Sequence, residues 1–243
     1  MKDLLKASLA AVVATMFSVA TASAVDGVSF GVVGNMTDFT TDGEERERCQ
    51  TSADASIGAC ETNKGSGSGS ADFPSLFIEY TGSAESGPLA MTFGIEYIPT
   101  DEEIGKKSRT DTRSDSNEDS DDSGTYTAKG TIKNHAAVYL EPTIAVSDTI
   151  GVFVKGGITH VTVETNESIA KGADSSQYGN ESVFGTTVGA GIRVNLVGGL
   201  LLKAEWLDTD YGNIELTSAT GNKNTIEANP ESQSTRISLG WTF

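Results

Sequence analysis

The stretch Leu89-Ala90-Met91-Thr92-Phe93-Gly94-Ile95-Glu96-Tyr97 decides the fold class of this 243-residue chain. Its odd-numbered residues are all apolar or aromatic, whereas its even-numbered residues are small or charged. Successive side chains of a β-strand point to opposite faces of a sheet. A period of two therefore predicts a strand with one fully apolar face.

The same alternation recurs along the chain and predicts eight strands. Their approximate ranges are 28–39, 73–81, 89–98, 133–141, 150–163, 183–195, 200–207 and 235–243. Short connections alternate with long polar ones, which lie near 40–72, 99–131, 164–182 and 208–233. All four long connections would therefore emerge at one end of an antiparallel barrel, as solvated and flexible segments. The Gly-Ser run at 65–70 is typical of such a segment. A ten-stranded alternative stays open if hairpins lie near 125–132 or 213–216.

The first 24 residues have the pattern of a signal peptide. Lys2 and Lys6 precede an almost uncharged stretch that ends in Ala22-Ser23-Ala24, an A-x-A cleavage pattern. The alternative is a membrane anchor, but the apolar run is short and rich in small residues. We therefore expect a signal peptide over residues 1–24 and one mature domain over residues 25–243.

Charge and cysteine content exclude several classes of function. The chain has 34 acidic and 17 basic residues, so no basic surface is available for nucleic acid. Cys49 and Cys60 are the only cysteines, and two cysteines of an exported protein usually pair, which predicts a Cys49–Cys60 disulfide. The two histidines, His135 and His160, are far from them in sequence, so we expect no metal site and no cofactor.

The faces opposite the apolar ones carry charges of both signs together with many glycines. The charged residues are Glu79, Glu96, Glu141, Lys155, Arg193, Lys203, Glu205 and Arg236. In a soluble sandwich these faces would meet water, whereas in a transmembrane barrel they would fill the lumen. So much glycine favours a crowded lumen, in which four acids can offset four bases. The charges then form either a structural polar core or the lining of a narrow ion path. Side chains can fill an eight-stranded barrel, which favours the polar core.

The last ten residues, 234–243, end in Trp241-Thr242-Phe243 and resemble the closing strand of bacterial outer-membrane proteins. With the signal peptide, this layout resembles the small opacity-type or OmpA-type "porin family" barrels of Gram-negative bacteria. The resemblance implies an all-β, up-and-down antiparallel transmembrane barrel of about eight strands, with short periplasmic turns and four long extracellular loops. It also implies contact with outer-membrane lipid and lipopolysaccharide. Trp241 and Phe243 would be the signal for the barrel assembly machinery.

For function, we expect a structural or surface-exposed role with at most narrow passive diffusion. Two alternatives stay open: a channel lined by the Glu, Lys and Arg side chains, and an adhesin or phage receptor that acts through the acidic loops. Divalent cations at the acidic run within 111–122 are a further option, although the run lacks the pattern of an EF-hand loop. His135 is expected on the inward face and His160 on the apolar face, near the loop end of the barrel. A His–Ser or His–Asp pair is conceivable there, but two isolated histidines do not indicate an enzyme.

Overall fold

The chain forms one antiparallel sheet that closes into a ring. The computed structural model describes residues 26–50, 57–85, 87–111, 124–168, 177–219 and 224–243, so the expected signal peptide lies outside it. The strands are β1 (Gly27–Gln50), β2 (Ile57–Ser83), β3 (Leu89–Tyr97), β4 (Glu102–Asp111), β5 (Gly124–Ala145), β6 (Ile150–Ser168), β7 (Asn180–Asn195), β8 (Leu200–Tyr211), β9 (Ile214–Thr217) and β10 (Thr225–Thr242).

Eight of these strands form the ring, in the order β1-β2-β3-β5-β6-β7-β8-β10. The ring is closed by antiparallel pairing of β1 with β10, from Ser29 opposite Thr242 to Arg46 opposite Thr225. Such closure satisfies the backbone hydrogen bonds of both terminal strands, which a bilayer requires. The predicted eight-stranded, up-and-down barrel is therefore confirmed.

The two remaining strands lengthen the wall instead of widening the ring. β4 pairs with β5 beyond the end of β3, and β9 pairs with β10 beyond the end of β8. β4 thus continues the course of β3 along β5, and β9 continues that of β8 along β10. Strands do exist near 125–132 and 213–216, as the ten-stranded alternative supposed, but the ring keeps eight.

The long connections differ from the expectation of flexible loops, because most of their described residues belong to strands. β1 extends to Gln50, and β2 begins at Ile57 and includes the Gly-Ser run at 65–70. The reason is that β1 offers a complete row of backbone partners, such as Gly43 opposite Gly65. Backbone pairing needs no alternation of side chains, so a pattern based on side chains overlooks it.

The outer wall carries a belt of exposed apolar side chains. Phe30, Ile78, Phe93 and Leu140 are each about half exposed, and they alternate with buried neighbours. A contiguous apolar surface of this kind meets lipid, not water. The three short turns and the C-terminus lie at one end of this belt. Among the described residues, the one helical segment is the 3₁₀ turn Val197–Gly199, and no helix is long and apolar enough to cross a membrane.

Candidate functional site

The eight charged residues of the inward faces all lie in the barrel interior. None of these side chains is more than slightly exposed, and Glu141 and Arg193 are completely buried. Each occupies a position whose sequence neighbours face outward, as in β8, where Lys203 and Glu205 alternate with the exposed Leu202 and Trp206. The alternation of the strands thus brings charges from seven different strands into one narrow space.

Lys203 links three strands across the interior. Its Nζ lies 2.5 Å from Glu79 Oε1 on β2 and 2.7 Å from Glu141 Oε1 on β5. The same nitrogen is 3.7 Å from Glu205 Oε1, on its own strand. Tyr139 adds a hydrogen bond by donating its hydroxyl to Glu79 Oε1 at 2.9 Å. A single ammonium group therefore holds carboxylates that are far apart in sequence.

Lys155 extends this network along the barrel wall. Its Nζ lies 2.9 Å from Glu141 Oε1 and 2.6 Å from Glu205 Oε1. The same nitrogen is 4.0 Å from the centroid of the Tyr139 ring, a cation–π distance. Glu141 and Glu205 are thus each shared between two ammonium groups, which offsets part of their desolvation cost.

The third cation of the network is Arg236. Its Nη2 contacts Glu96 Oε2, and its Nε lies 3.9 Å from Glu205 Oε2. Glu96 also accepts a hydrogen bond from Ser75 Oγ at 2.6 Å. Seven of the eight charges, four carboxylates and three cations, are therefore linked in one network, which we call the ion-pair plug.

Arg193 is the eighth charge, and it does not join the plug. Within the described residues no carboxylate oxygen lies within 4.0 Å of it, and its Nη1 instead donates to Thr81 Oγ1 at 3.2 Å and Thr92 Oγ1 at 2.9 Å. It lies nearer the short turns, in a layer of hydroxyl groups. Arg193 thus completes the balance of four acids and four bases without a direct ion pair.

Three aromatic rings surround the plug, and alternation alone does not predict them, because they lie on the polar faces of their strands. Phe77, Tyr139 and Phe153 are buried inside the barrel. Each lies directly opposite a glycine of the next strand, which is Gly31, Gly94 and Gly191 respectively. A Cβ at Gly94 would lie 2.2 Å from Tyr139 Cζ, and the other two glycines are similarly covered. The feature of the sequence that could have predicted these rings is the set of inward-facing glycines, because a glycine leaves room for a ring on the neighbouring strand.

Beyond the apolar belt, on the side of the long connections, the polarity of the wall is reversed. We call this part of the wall the crown; it comprises β4, β9 and the adjoining ends of β1, β2, β5, β6, β7 and β10. Its interior holds an apolar cluster, and its exterior is polar. The buried members of the cluster are Phe39, Phe73, Ile98, Ile132, Val161, Val183, Ile214 and Leu216. The crown is thus packed like a soluble β-barrel, with its apolar side chains inside.

Ion pairs lie on the outer face of the crown. Lys129 Nζ lies 2.8 Å from Glu103 Oε2, and Lys133 contacts Glu164. A hydrogen bond to Glu164 raises the pKa of Lys133 above its ordinary value, and the charge of Asp101 acts in the same direction. These side chains are partly exposed, so such pairs contribute little stability.

A cavity separates the ion-pair plug from the apolar cluster of the crown. The space there that water molecules could occupy is about 40 Å³, and it is lined by hydroxyl groups, Arg236, His135 and apolar side chains such as Phe39 and Ile132. Hydrogen bonds of 2.9 Å join the Thr187 hydroxyl to those of Thr159 and Thr209. His160, by contrast, lies on the outer wall against Phe184, with ring centroids 5.0 Å apart. The two histidines therefore lie on opposite faces of the wall and are not brought together.

Several predicted sites fall outside the described residues or side chains. The backbone of Cys49 pairs with that of Gly58 near the tip of the crown, but neither cysteine side chain is described. The Cys49–Cys60 disulfide therefore stays a prediction. Most of the acidic run within 111–122 also lies outside the structure. Among the described residues, no group of three or more His, Cys, Asp or Glu side chains is placed to hold a metal ion.

The comparison with protein families agrees with the architecture. The family model of the outer membrane protein beta-barrel domain matches residues 9–243. Among solved structures, OprG from Pseudomonas aeruginosa is 11% identical with a TM-score of 0.42, and 90% of this chain covers 98% of that one. The Neisserial surface protein A is 10% identical with a TM-score of 0.40, and 85% of this chain covers 97% of it. Ail of Yersinia pestis is 10% identical with a TM-score of 0.32, at 87% and 99% coverage. No curated protein matches the sequence.

Proposed function

Because the chain belongs to the outer membrane protein β-barrel domain family, we propose that it is a non-conducting barrel of the outer membrane that displays the crown at the cell surface. The observation that carries this proposal is a lumen filled at two levels. The ion-pair plug fills the interior within the apolar belt, and the apolar cluster fills it within the crown. A hydrated ion would have to displace both.

The two fillings oppose conduction for different reasons. In the plug, an ion would compete with contacts of 2.5–2.9 Å between Lys203, Lys155 and their carboxylates. In the crown, buried apolar side chains offer an ion no polar partner, so the cost of desolvation is not repaid. The alternative of a channel lined by the charged residues would require both to rearrange.

Conductance in planar bilayers tests the proposal. We expect the purified protein to give no stable, salt-dependent openings. The double variant Lys203→Ala/Arg236→Ala removes two cations of the plug and should still be closed by the crown cluster. A matched variant, Lys106→Ala/Lys107→Ala, changes two exposed lysines of β4. Steady openings in the unaltered protein that are lost in the Lys203/Arg236 variant alone would support the channel instead.

The length of the crown supports a role at the cell surface. β1 leaves the apolar belt after Met36 and continues to Gln50, which is 14 residues. At about 3.3 Å per residue this is roughly 46 Å along the strand. Barrel closure needs no such extension, and recognition of a partner by the tips of the crown would make use of it. An adhesin or phage-receptor role is therefore the second candidate.

Labelling of intact cells with a membrane-impermeant amine reagent tests the orientation. Lys64, Lys106 and Lys107 are exposed on the crown, whereas Lys155 and Lys203 are buried in the plug. We expect the reagent to modify Lys64, Lys106 and Lys107 and neither of the two buried lysines. If the crown is modified only after the outer membrane is permeabilised, the crown faces the periplasm, which would contradict the proposal.

A role of the acidic run within 111–122 in binding a partner or divalent cations is tested with a different variant. Asp111 lies directly opposite Gly124 in the β4–β5 pairing. Residues 112–123 can therefore be replaced by Asn-Gly, a two-residue hairpin turn. If the run mediates adhesion or binds divalent cations, this variant should lose adherence of the producing cells or calcium-45 binding while the barrel remains heat-modifiable on gels. Unchanged adherence and calcium binding would contradict both roles.

One further role is proposed on the same basis. Trp241 and Phe243 lie at the end of β10, the strand that closes the ring against β1, which is where a signal for the assembly machinery would act. The proposed function includes no enzymatic step; His135 lines the interior cavity, and His160 packs against Phe184 on the outer wall.

A further inference from the structure

Two strands of the crown present unpaired backbone edges to each other. β2 pairs with β1 along nearly its whole length, but it pairs with β3 only from Leu76 to Ser83. β4 continues the course of β3, yet it pairs with β5 alone. Within the described residues, no backbone pairing joins β4 to the part of β2 that it faces. We call the line between residues 64–70 of β2 and residues 102–108 of β4 the seam.

The seam is open, whereas the corresponding line between β7 and β9 is bridged. There Glu215 N donates to a carboxylate oxygen of Glu181 at 2.7 Å. No hydrogen bond between described residues bridges the seam, although the strands touch at Gly69, where a Cβ would lie 1.9 Å from the carbonyl oxygen of Ile104. Toward the tips of the crown, the N–H and C=O groups on the facing edges are therefore free to bind an added strand.

The side chains beside the seam differ between the two faces of the wall. On the inner face, the glycines of the run at 65–70 leave space, and a Cβ at Gly65 would meet nothing within 4 Å. On the outer face, Lys64 continues the exposed row of β2, and Lys106 lies opposite Lys129. Lys64 and Lys106 are exposed, and among the described residues no carboxylate oxygen lies within 4.0 Å of either amine. The seam therefore offers two unpaired positive charges beside its free edges.

These charges determine which kind of strand the seam accepts. Lysines on an edge strand oppose pairing with apolar strands, whereas they attract a strand that carries carboxylates. The acidic run of this chain has five carboxylates, no base and no proline over residues 114–123. As a strand it would place Asp115, Asp119 and Asp121 on one face, and three of its four serines on the other. This division matches a seam with lysines outside and glycines inside.

The position of the acidic run favours a second copy of the chain as its source. In one molecule both ends of residues 112–123 are held at the tip of the β4–β5 hairpin, where Asp111 lies opposite Gly124. The run would have to reverse its direction at this tip to enter the seam of its own molecule. It reaches the seam of a facing copy by continuing beyond the tip.

We propose that the seam binds the acidic run of a second copy of this chain, residues 114–123, as an added strand. Backbone hydrogen bonds join the run to the free edge of β2, and its carboxylates face Lys64 and Lys106. Since every copy has both a seam and a run, the crowns of two neighbouring cells can be joined. The inference rests on the proposed display of the crown at the cell surface, and it names the partner of the acidic run.

Fluorescence anisotropy with a labelled synthetic peptide of residues 114–123 tests binding to the purified protein in detergent. The protein carries Asn-Gly in place of residues 112–123, so that its own run does not compete. We expect saturable binding that weakens about fivefold or more in Lys64→Gln/Lys106→Gln. The matched control, Lys129→Gln/Lys133→Gln, removes two lysines of β5, which is paired on both sides, and should leave the affinity unchanged.

A second peptide separates strand addition from simple attraction of charges. N-methyl groups on alternate residues keep every carboxylate but remove the N–H donors along one edge of the peptide. We expect this peptide to bind about fivefold or more weakly than the unmodified one, because it cannot form the backbone hydrogen bonds of a sheet.

Aggregation of cells tests whether the run acts between copies. Cells that produce the Asn-Gly variant lack the run, and cells that produce Lys64→Gln/Lys106→Gln lack the charges of the seam. We expect neither strain to aggregate alone and a mixture of the two to aggregate, because each supplies what the other lacks. Heat-modifiability on gels shows that each variant is folded.

Three results would overturn the proposal. Equal binding of the methylated peptide would mean that no strand is added. An equal loss of binding in Lys129→Gln/Lys133→Gln would mean that the peptide responds to the charge of the whole crown. A mixture of cells that stays dispersed would mean that the run does not join facing copies. Surface labelling that places the crown in the periplasm would contradict its display at the surface, whereas peptide binding in detergent does not depend on orientation.

Discussion

At the scale of single residues, Lys203 contacts more carboxylates of the plug than either of the other two cations. Its ammonium group contacts Glu79 and Glu141, which lie on two other strands. Removal of one partner from a buried ion pair leaves an uncompensated charge, and this loss is more costly than the pair itself is stabilising. The alternation of β8 predicts that Lys203 faces inward, but its partners lie on strands across the lumen, which alternation cannot identify.

We expect Lys203→Met to lower the free energy of unfolding by about 3–5 kcal/mol, because carboxylates of the plug lose their cation. Urea unfolding in detergent micelles measures the change. Lys107→Met, on the exposed face of β4, is the matched control and should change the stability by less than about 0.5 kcal/mol. Equal stability of the two variants would mean that the plug contributes nothing.

Gly94 is a second residue that matters at this scale, because it makes room for the Tyr139 ring. In Gly94→Ala the new methyl group would lie 2.2 Å from Tyr139 Cζ, so the ring has to move away from Glu79. We expect a loss of about 1–3 kcal/mol from overpacking. Gly156→Ala is the control, since nothing lies within 4 Å of a Cβ there. A Gly94 variant as stable as the Gly156 variant would contradict this packing.

At the scale of the elements, β6 shows how one strand serves two environments. Ile158 faces lipid, whereas Val161, three residues later, is buried inside the crown. An odd separation changes the face on which the apolar residue lies, and this change marks the boundary of the belt. The alternation over 150–163 predicts one strand with one apolar face and does not predict the reversal, although Val161-Thr162-Val163-Glu164 already displays it.

The reversal predicts different effects for two neighbouring substitutions in β6. Val161→Asp places a charge in the apolar cluster, so we expect the crown to open locally and to be cleaved by proteases at least tenfold faster. The barrel should remain heat-modifiable, because the plug is intact. Thr162→Asp lies on the outer face and should leave the cleavage rate unchanged. Similar rates for both variants would mean that the crown has no packed core.

At the scale of the whole molecule, the structure combines a lipid-facing barrel and a crown with a packed apolar interior in one continuous wall. The change between them falls along β1 and β2 between the row Phe30–Ile78 and the row Thr40–Ser68. Phe30 and Ile78 are exposed and apolar, whereas Thr40 and Ser68 are exposed and polar. The membrane boundary therefore lies between these two rows.

Spin labels at these four positions test that boundary in vesicles. Labels replacing Phe30 and Ile78 should be relaxed mainly by oxygen, which concentrates in the bilayer. Labels replacing Thr40 and Ser68 should be relaxed mainly by a water-soluble nickel chelate. Labels at all four positions that respond alike would mean that the crown is embedded in lipid or that the belt is not.

The sequence by itself determined the class of fold, the number of strands in the ring and the inward face of each charged residue. These follow from a period of two, which is a local property of each strand. Only the tertiary structure decided that Lys203, Lys155 and Arg236 join four carboxylates while Arg193 remains apart, and that rings lie over glycines. It also decided that the long connections form a crown with an apolar core. Such contacts depend on which strands face each other across a closed ring, and register and closure are properties of the whole sheet.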